Sequence, residues 1–178
     1  MFTRALLLPM FALSLFGQAP PASRPAVTLR SSLLEQLRTT HSRQDWFVPA
    51  NQAVEGLTPK QASWTDGSGN HSVGQLANHL IFWNRQQLAR MKSEPAEKPG
   101  ANDETFNAFD AANWSATVRQ LNEVLSELEK VVETMPEEKL QQFASAIGHI
   151  ATHNAYHVGQ ILYVRKLQGS WDPSRGVK

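Results

Sequence analysis

Three histidines, His149, His153 and His157, stand four residues apart in the stretch SAIGHIATHNAYHVGQILYVRKL. Imidazole is the commonest neutral metal ligand and an acid–base group near neutrality, so the set suits coordination or proton transfer. In a helix, residues four apart lie nearly one above the other, and two neighbouring imidazoles can close on one ion. Three in a row cannot, because the outer pair stand about 12 Å apart along the axis. The helix therefore offers a two-histidine clamp and a spare, and a metal needs a further ligand from another element. The other histidines are His41, His71 and His79. The motif is not the H-E-x-x-H of a metalloprotease. Asn154, Ala155 and Tyr156 fill the interval, so the built-in general base is missing.

Positioning that clamp falls to the rest of the chain, whose 178 residues suit one domain. A first helix is predicted from the stripe Leu29, Leu33, Leu34 and Leu37, with Thr28 or Ser31 as N-cap. It is expected to run towards Trp46 until Pro49 interrupts or kinks it, with Ala50 to Leu57 as its resumption. Gly56 to His71 reads as a turn-rich crossover anchored by Trp64 alone. Ser72 and Gln75 form an S-x-x-Q capping box. The second helix behind it carries Val73, Leu76, Ala77, Leu80, Ile81, Leu88 and Met91 and ends near Lys92. His79 lies beside this stripe, between Leu76 and Trp83. Pro95 and Pro99 mark a polar loop.

In the third helix, Trp114, Val118, Leu121, Leu125, Leu128, Val132 and Met135 alternate by fours and threes, a bundle seam. Glu123, Glu127, Glu129 and Lys130 read as its solvated face, and Pro136 closes it. The fourth helix is placed from Phe143–Ser145 to a C-cap at Gly169. No period-two strand is visible. The expectation is an all-α fold, a four-helix bundle with a long connection between helices two and three.

The N-terminus differs from the rest. Arg4 precedes an apolar run from Ala5 to Phe16, followed by Gly17-Gln18-Ala19-Pro20-Pro21-Ala22. That order matches a secretory signal and is too short to span a bilayer comfortably. Cleavage after Ala19 satisfies a small-x-small rule, and Ala22 is the alternative; an uncleaved anchor or a misplaced start is the competing reading. The expected organisation is a signal peptide at 1–19, a Pro-rich disordered lead-in at 20–27, the bundle at 28–170 and a C-terminal tail at 171–178. The mature protein would be exported, periplasmic or secreted, with no stable membrane anchor after cleavage. Removing residues 1–19 takes one Arg from the 17 basic residues and none of the 16 acids, leaving 16 of each. A neutral chain without a basic block gives no support for a nucleic-acid partner. The absence of cysteine excludes disulfides, thiolate ligands and a cysteine nucleophile.

His153 and His157 fall at the border of the buried stripe, where an unpaired imidazole is costly. His79 reaches a similar border on the second helix. A three-histidine site with an open fourth position, the arrangement of a catalytic zinc, is one outcome. A hydrogen-bonded core network is the other.

The segments HLIFW at 79–83, preceded by SVGQLAN, and HIATHNAYHVGQILYVRKLQG at 149–169 resemble the DinB-like four-helix bundle family, also described as metal-dependent hydrolases. The resemblance covers roughly residues 29–169. It implies that His79, His153 and His157 are metal ligands, for zinc or nickel, with His149 behind them or lining the pocket. Gln160, three residues after His157, is placed to orient a ligand or a water, or is an ordinary amide. Trp83, four residues after His79, is placed to wall the pocket or to join the core. Tyr156 faces elsewhere, His41 and His71 read as surface or capping residues, and Arg165 as a cation complementing the helix dipole.

The resemblance divides the chemistry between hydrolases and transferases or isomerases that use a low-molecular-weight thiol. Export counts against the thiol version, because such cosubstrates belong to the reducing cytosol. Hydrolysis lacks an assured carboxylate base, Glu35 and Glu94 being the nearest candidates. The functional expectation is an exported, metal-dependent hydrolase or transferase acting on a small-molecule substrate. The alternative is a non-catalytic metal- or small-ligand-binding bundle. Pairing into a homodimer is common in the resembled family, though no exposed apolar stripe demands it.

Overall fold

The chain opens three of its helices with the same reciprocal cap. In the structure, a computed structural model that describes residues 26–97 and 100–176, Thr28 and Ser31 box the start of α1 (Leu29–His41). The signal peptide 1–19 and residues 20–25 of the lead-in lie outside the described residues. Thr58 and Gln61 open the short α3 (Pro59–Ala62), and Ser72 and Gln75 open α4 (Val73–Lys92). In each box the first hydroxyl accepts the third residue's backbone N–H while that residue's side chain accepts in return, satisfying two otherwise orphaned donors. Between α1 and α3 lies α2 (Ala50–Val54), behind Pro49. The long connection after α4 carries α5 (Glu104–Asn107) and a 3₁₀ turn (Ala111–Asn113). Then come α6 (Trp114–Thr134) and α7 (Glu137–Leu167). No strand occurs among the described residues.

α1, α4, α6 and α7 form the expected four-helix bundle. α1 and α4 each pack against both α6 and α7, and they occupy one diagonal while α6 and α7 occupy the other. Leu33, Leu34 and Leu37 of α1 meet Leu76, Leu80, Leu121, Leu128, Val132, Ile147 and Ile161 in one continuous core. Within it, Asn84 of α4 and Asn154 of α7 are fully buried and exchange two amide hydrogen bonds, at 2.8 and 3.1 Å. Both amides are buried, so sliding one helix past the other would leave Asn154 unpaired and Asn84 with only its bond to the Leu80 carbonyl. This pair holds the register of the two helices that carry the histidines.

Four boundaries differ from the sequence expectation, each for a local reason. α1 stops at His41, where the backbone N–H groups of Ser42 and Arg43 both turn back to the Arg38 carbonyl. The crossover at 56–71 contains α3, and buried Leu57 and Ala62 anchor it in addition to Trp64. α7 begins at Glu137, two turns before Phe143. Pro136 supplies a preset φ at its N-cap, Glu137 and Glu138 complement the dipole, and Leu140 is fully buried in that first stretch. Of the expected C-terminal tail, residues 171–176 pack back on the bundle, and 177–178 lie outside the described residues. Trp171 is buried, its indole N–H donating to the Gly176 carbonyl, and Arg165 and Arg175 both lie over its ring.

Arg165, in the last turn of α7 where a cation complements the dipole, does more than that. It is buried, and its guanidinium donates to the carbonyls of Ala53, Glu55 and Ser170, tying α2 and the chain end to α7. Gly169 does end α7 in the left-handed region, at φ 70°. Gly74 is required for another reason: a Cβ there would collide with the Phe109 ring, so its absence lets the α5 segment close onto the start of α4. No helix among the described residues is long and apolar enough to cross a membrane.

Candidate metal centre

His79 sits on the buried face of α4, while His153 and His157 stand one turn apart on α7. The antiparallel crossing fixed by Asn84 and Asn154 sets His79 against that turn. Nε2 of His79 lies 3.2 Å from Nε2 of His153, and Nε2 of His157 lies 3.1 Å from the same atom. Ligand atoms from all three lie within 4.8 Å of one another. Nitrogens about 2.0–2.1 Å from one tetrahedral zinc ion would stand roughly 3.3 Å apart, close to the two spacings that involve His153.

The outer nitrogens identify which atoms carry protons. Thr105, at the head of the α5 segment, donates its hydroxyl hydrogen to the Asn102 carbonyl at 2.6 Å, leaving its oxygen to accept from His79 Nδ1–H, also at 2.6 Å. Gln160 Oε1 lies 2.6 Å from His157 Nδ1 and, as a carbonyl oxygen, can only accept. Both rings are thereby held in the Nδ1–H tautomer, with the Nε2 lone pair facing His153. A proton on His153 Nε2 could satisfy one of these contacts but not both. Nδ1 of His153 is buried without a hydrogen-bond partner.

None of the three is readily charged. Burial, then the neighbouring His157, His153 and His71, holds His79 down to about 3. Burial, then His157, holds His153 down to about 4. Burial also lowers His157, against the opposing effect of the hydrogen bond it donates to Gln160. At neutral pH the cluster is therefore a set of neutral imidazoles with lone pairs turned inward, a donor set that can hold a divalent metal ion.

The surroundings are aromatic and, on one side, open. Phe106 is stacked between His71 and His79, with ring centroids 3.8 and 4.0 Å away. A groove of about 590 Å³ runs from the cluster between α4 and α7. Trp83 walls it, His149 lines it further along, and no carboxylate contributes to its lining. Glu35 and Glu94, the candidate bases, are instead paired with Arg43 and Lys92 outside the groove. Tyr156 is exposed, although its hydroxyl accepts from Gln160 Nε2 at 3.3 Å.

His41, expected at the surface, is buried among Glu129, Asn122 and Asn51, and Glu129 leaves the solvated face of α6 to meet it. His71 joins the site through the Phe106 stack and through its electrostatic effect on His79 and His157.

Sequence reasoning missed Thr105 and Phe106, which lie in the polar connection after α4. The one signal was a phenylalanine inside ANDETFNAFD, an apolar residue with no periodicity to assign it to a helix face. It also missed Gln87 and Arg90, which line the groove and follow His79 on the same helix.

A family model described as the DinB superfamily matches residues 50–161, a span that includes all three histidines. No curated protein and no solved structure matches the chain.

Proposed function

The chain belongs to the DinB superfamily, and from that premise we propose that His79, His153 and His157 hold a zinc or nickel ion with one position open to the groove, in an exported protein acting on a small molecule by hydrolysis or group transfer. The observation that carries this reading is the convergence of the Nε2 atoms while the Nδ1 atoms of His79 and His157 already donate to Thr105 and Gln160. Lone pairs brought this close in a buried site repel unless a cation lies between them. When bound, the ion supplies Lewis acidity to whichever heteroatom of the small molecule reaches it.

The chain's own residues do the rest. Thr105 and Gln160 fix the tautomer and orientation of two rings. Phe106 and Trp83 exclude water from one side. With no carboxylate in the groove, His149 is the titratable side chain along it, outside the cluster, able to take or give a proton. The export element rests on the apolar run Ala5–Phe16 and the small residues after it, and N-terminal sequencing of the secreted protein would show whether cleavage follows Ala19 or Ala22.

The missing carboxylate base also favours a second reading, a metal- or ligand-binding bundle without turnover. Elemental analysis of protein purified without a polyhistidine tag tests the metal: less than about a tenth of an equivalent after reconstitution overturns both readings. Ester, amide and thiol-transfer substrates assayed against His153→Ala then separate enzyme from binder. Turnover unchanged in that variant rules out metal catalysis at this site.

A further inference from the structure

The metal cluster accounts for one end of the groove; the other end is lined by Gln87 and Arg90 of α4 facing Ala146 and His149 of α7. Arg90 follows His79 by eleven residues, which returns it to within about 20° of the same helix face, about 16 Å along the axis. Four other arginines, Arg30, Arg38, Arg43 and Arg175, are each paired with a glutamate. Arg90 has no ion pair among the described residues. Its recorded contact is a 3.5 Å approach to Gln87 Oε1 on its own helix. Asp103 and Glu104 neighbour Asn102 at the rim, but neither lines the groove. The stretch between the cluster and Arg90 is apolar, with Trp83 and Phe106 near the histidines and Ile150 and Ala146 beyond them.

We propose that the groove takes a ligand with an apolar body and a terminal carboxylate, the carboxylate being received by Arg90 and the opposite end reaching the three histidines. The proposal rests on the metal reading above and adds the chemical class of the molecule. A guanidinium fork matches a carboxylate in a bidentate pair, with the Gln87 amide beside it as a further donor. Arg90 is the permanent cation in the lining, so a singly charged group is matched where a phosphate dianion would be left undercompensated. Helical side chains lean towards their N-terminus, which brings the guanidinium back along the groove. The ligand therefore spans roughly 10 Å between its charged end and the atom that meets the ion.

Zinc-loaded protein titrated calorimetrically with ω-mercaptoalkanoic acids, from about two to about twelve methylenes, tests the proposal, because the thiolate is a zinc ligand and the acid reports on Arg90. The matching primary amides are the neutral controls. Affinity should peak at intermediate length, and at the peak each acid should bind about tenfold or more tightly than its amide. In Arg90→Gln, exposed and away from the core, the preference for acid should vanish while zinc loading stays at one equivalent. Equal binding of acid and amide at every length, or a preference that survives in Arg90→Gln, overturns the proposal alone. A wild-type protein that loads no zinc overturns the metal reading, and the proposal with it.

Discussion

Two buried histidine clusters in this bundle are built on opposite logic. Around His41, where α1 meets α6, Nδ1 lies 2.5 Å from a Glu129 carboxylate oxygen and Nε2 lies 3.0 Å from Asn122 Oδ1, with Asn51 donating to that same oxygen at 2.7 Å. The carboxylate is an acceptor for one ring nitrogen, and the Asn51 amide, a donor, lies 3.2 Å from the other, so each nitrogen has a partner of opposite polarity and the cluster is complete as it stands. Where α4 meets α7, three imidazoles point their inner nitrogens at one another, and the protein supplies acceptors only to the outer nitrogens of two of them. Burial is similar, with His41 4 % exposed and His79 3 % exposed. What separates a structural histidine from a candidate ligand here is the chemistry of the partners. Carboxylates and amides complete an imidazole, whereas other imidazoles leave room for a cation.

The sharpest way to break that contrast is to remove one histidine from each cluster. His153→Ala should weaken zinc or nickel binding by more than about 100-fold, since outer partners alone are worth about 10- to 100-fold. His41→Ala should leave metal affinity unchanged, as read by competition with a chromophoric chelator. The same His41→Ala chain should lose about 2–3 kcal/mol of stability in urea, because it removes a buried ring and takes from Glu129 Oε1 its imidazole partner. If instead His41→Ala weakens the metal and His153→Ala does not, the two clusters have been assigned the wrong way round.

Next in size are the outer contacts. Thr105→Val and Gln160→Leu each remove an acceptor from a ligand's Nδ1–H and should weaken metal binding by about 10- to 100-fold. Asn154→Ala acts on the same site from further away. It leaves the Asn84 amide short of a partner and should cost about 2–3 kcal/mol, with weaker metal binding as the helix register loosens.

The smallest effect over any single pH unit is on stability without metal. His79 and His153 sit at about 3 and about 4 in the folded chain, against the ordinary 6.5. Between those values the unfolded chain binds more protons, so stability rises with pH there. The melting temperature of chelator-treated protein should fall as pH is lowered from about 6.5 towards 4 and gain nothing from these groups above about 7.5. His79→Ala should flatten the descent. A wild-type curve level from pH 7 to pH 5 would contradict buried neutral imidazoles.

Much of this was legible in the chain before folding. α6 is marked by its seam of fours and threes, and α4 by its S-x-x-Q box and stripe, because both signals depend only on neighbours a turn or two away. The His153–His157 clamp and its Gln160 partner are equally local, lying within seven residues of one helix. α7 was placed short because its first two turns are mostly polar, with Leu140 the fully buried residue that anchors them.

Local pattern therefore determined the existence of the four long helices, the Ser72–Gln75 cap and a two-histidine clamp. It placed His79 at a buried border but could not determine that this residue faces the clamp, since which helices cross is not a local property. Only the α4–α7 crossing, held by Asn84 and Asn154, brings His79 within 3.2 Å of His153, while the packing of α1 on α6 gives His41 a glutamate instead. The lid of Thr105 and Phe106 is a tertiary result as well. Its segment has no periodicity of its own and is held by what it touches, a histidine tautomer and a glycine with no Cβ in the way.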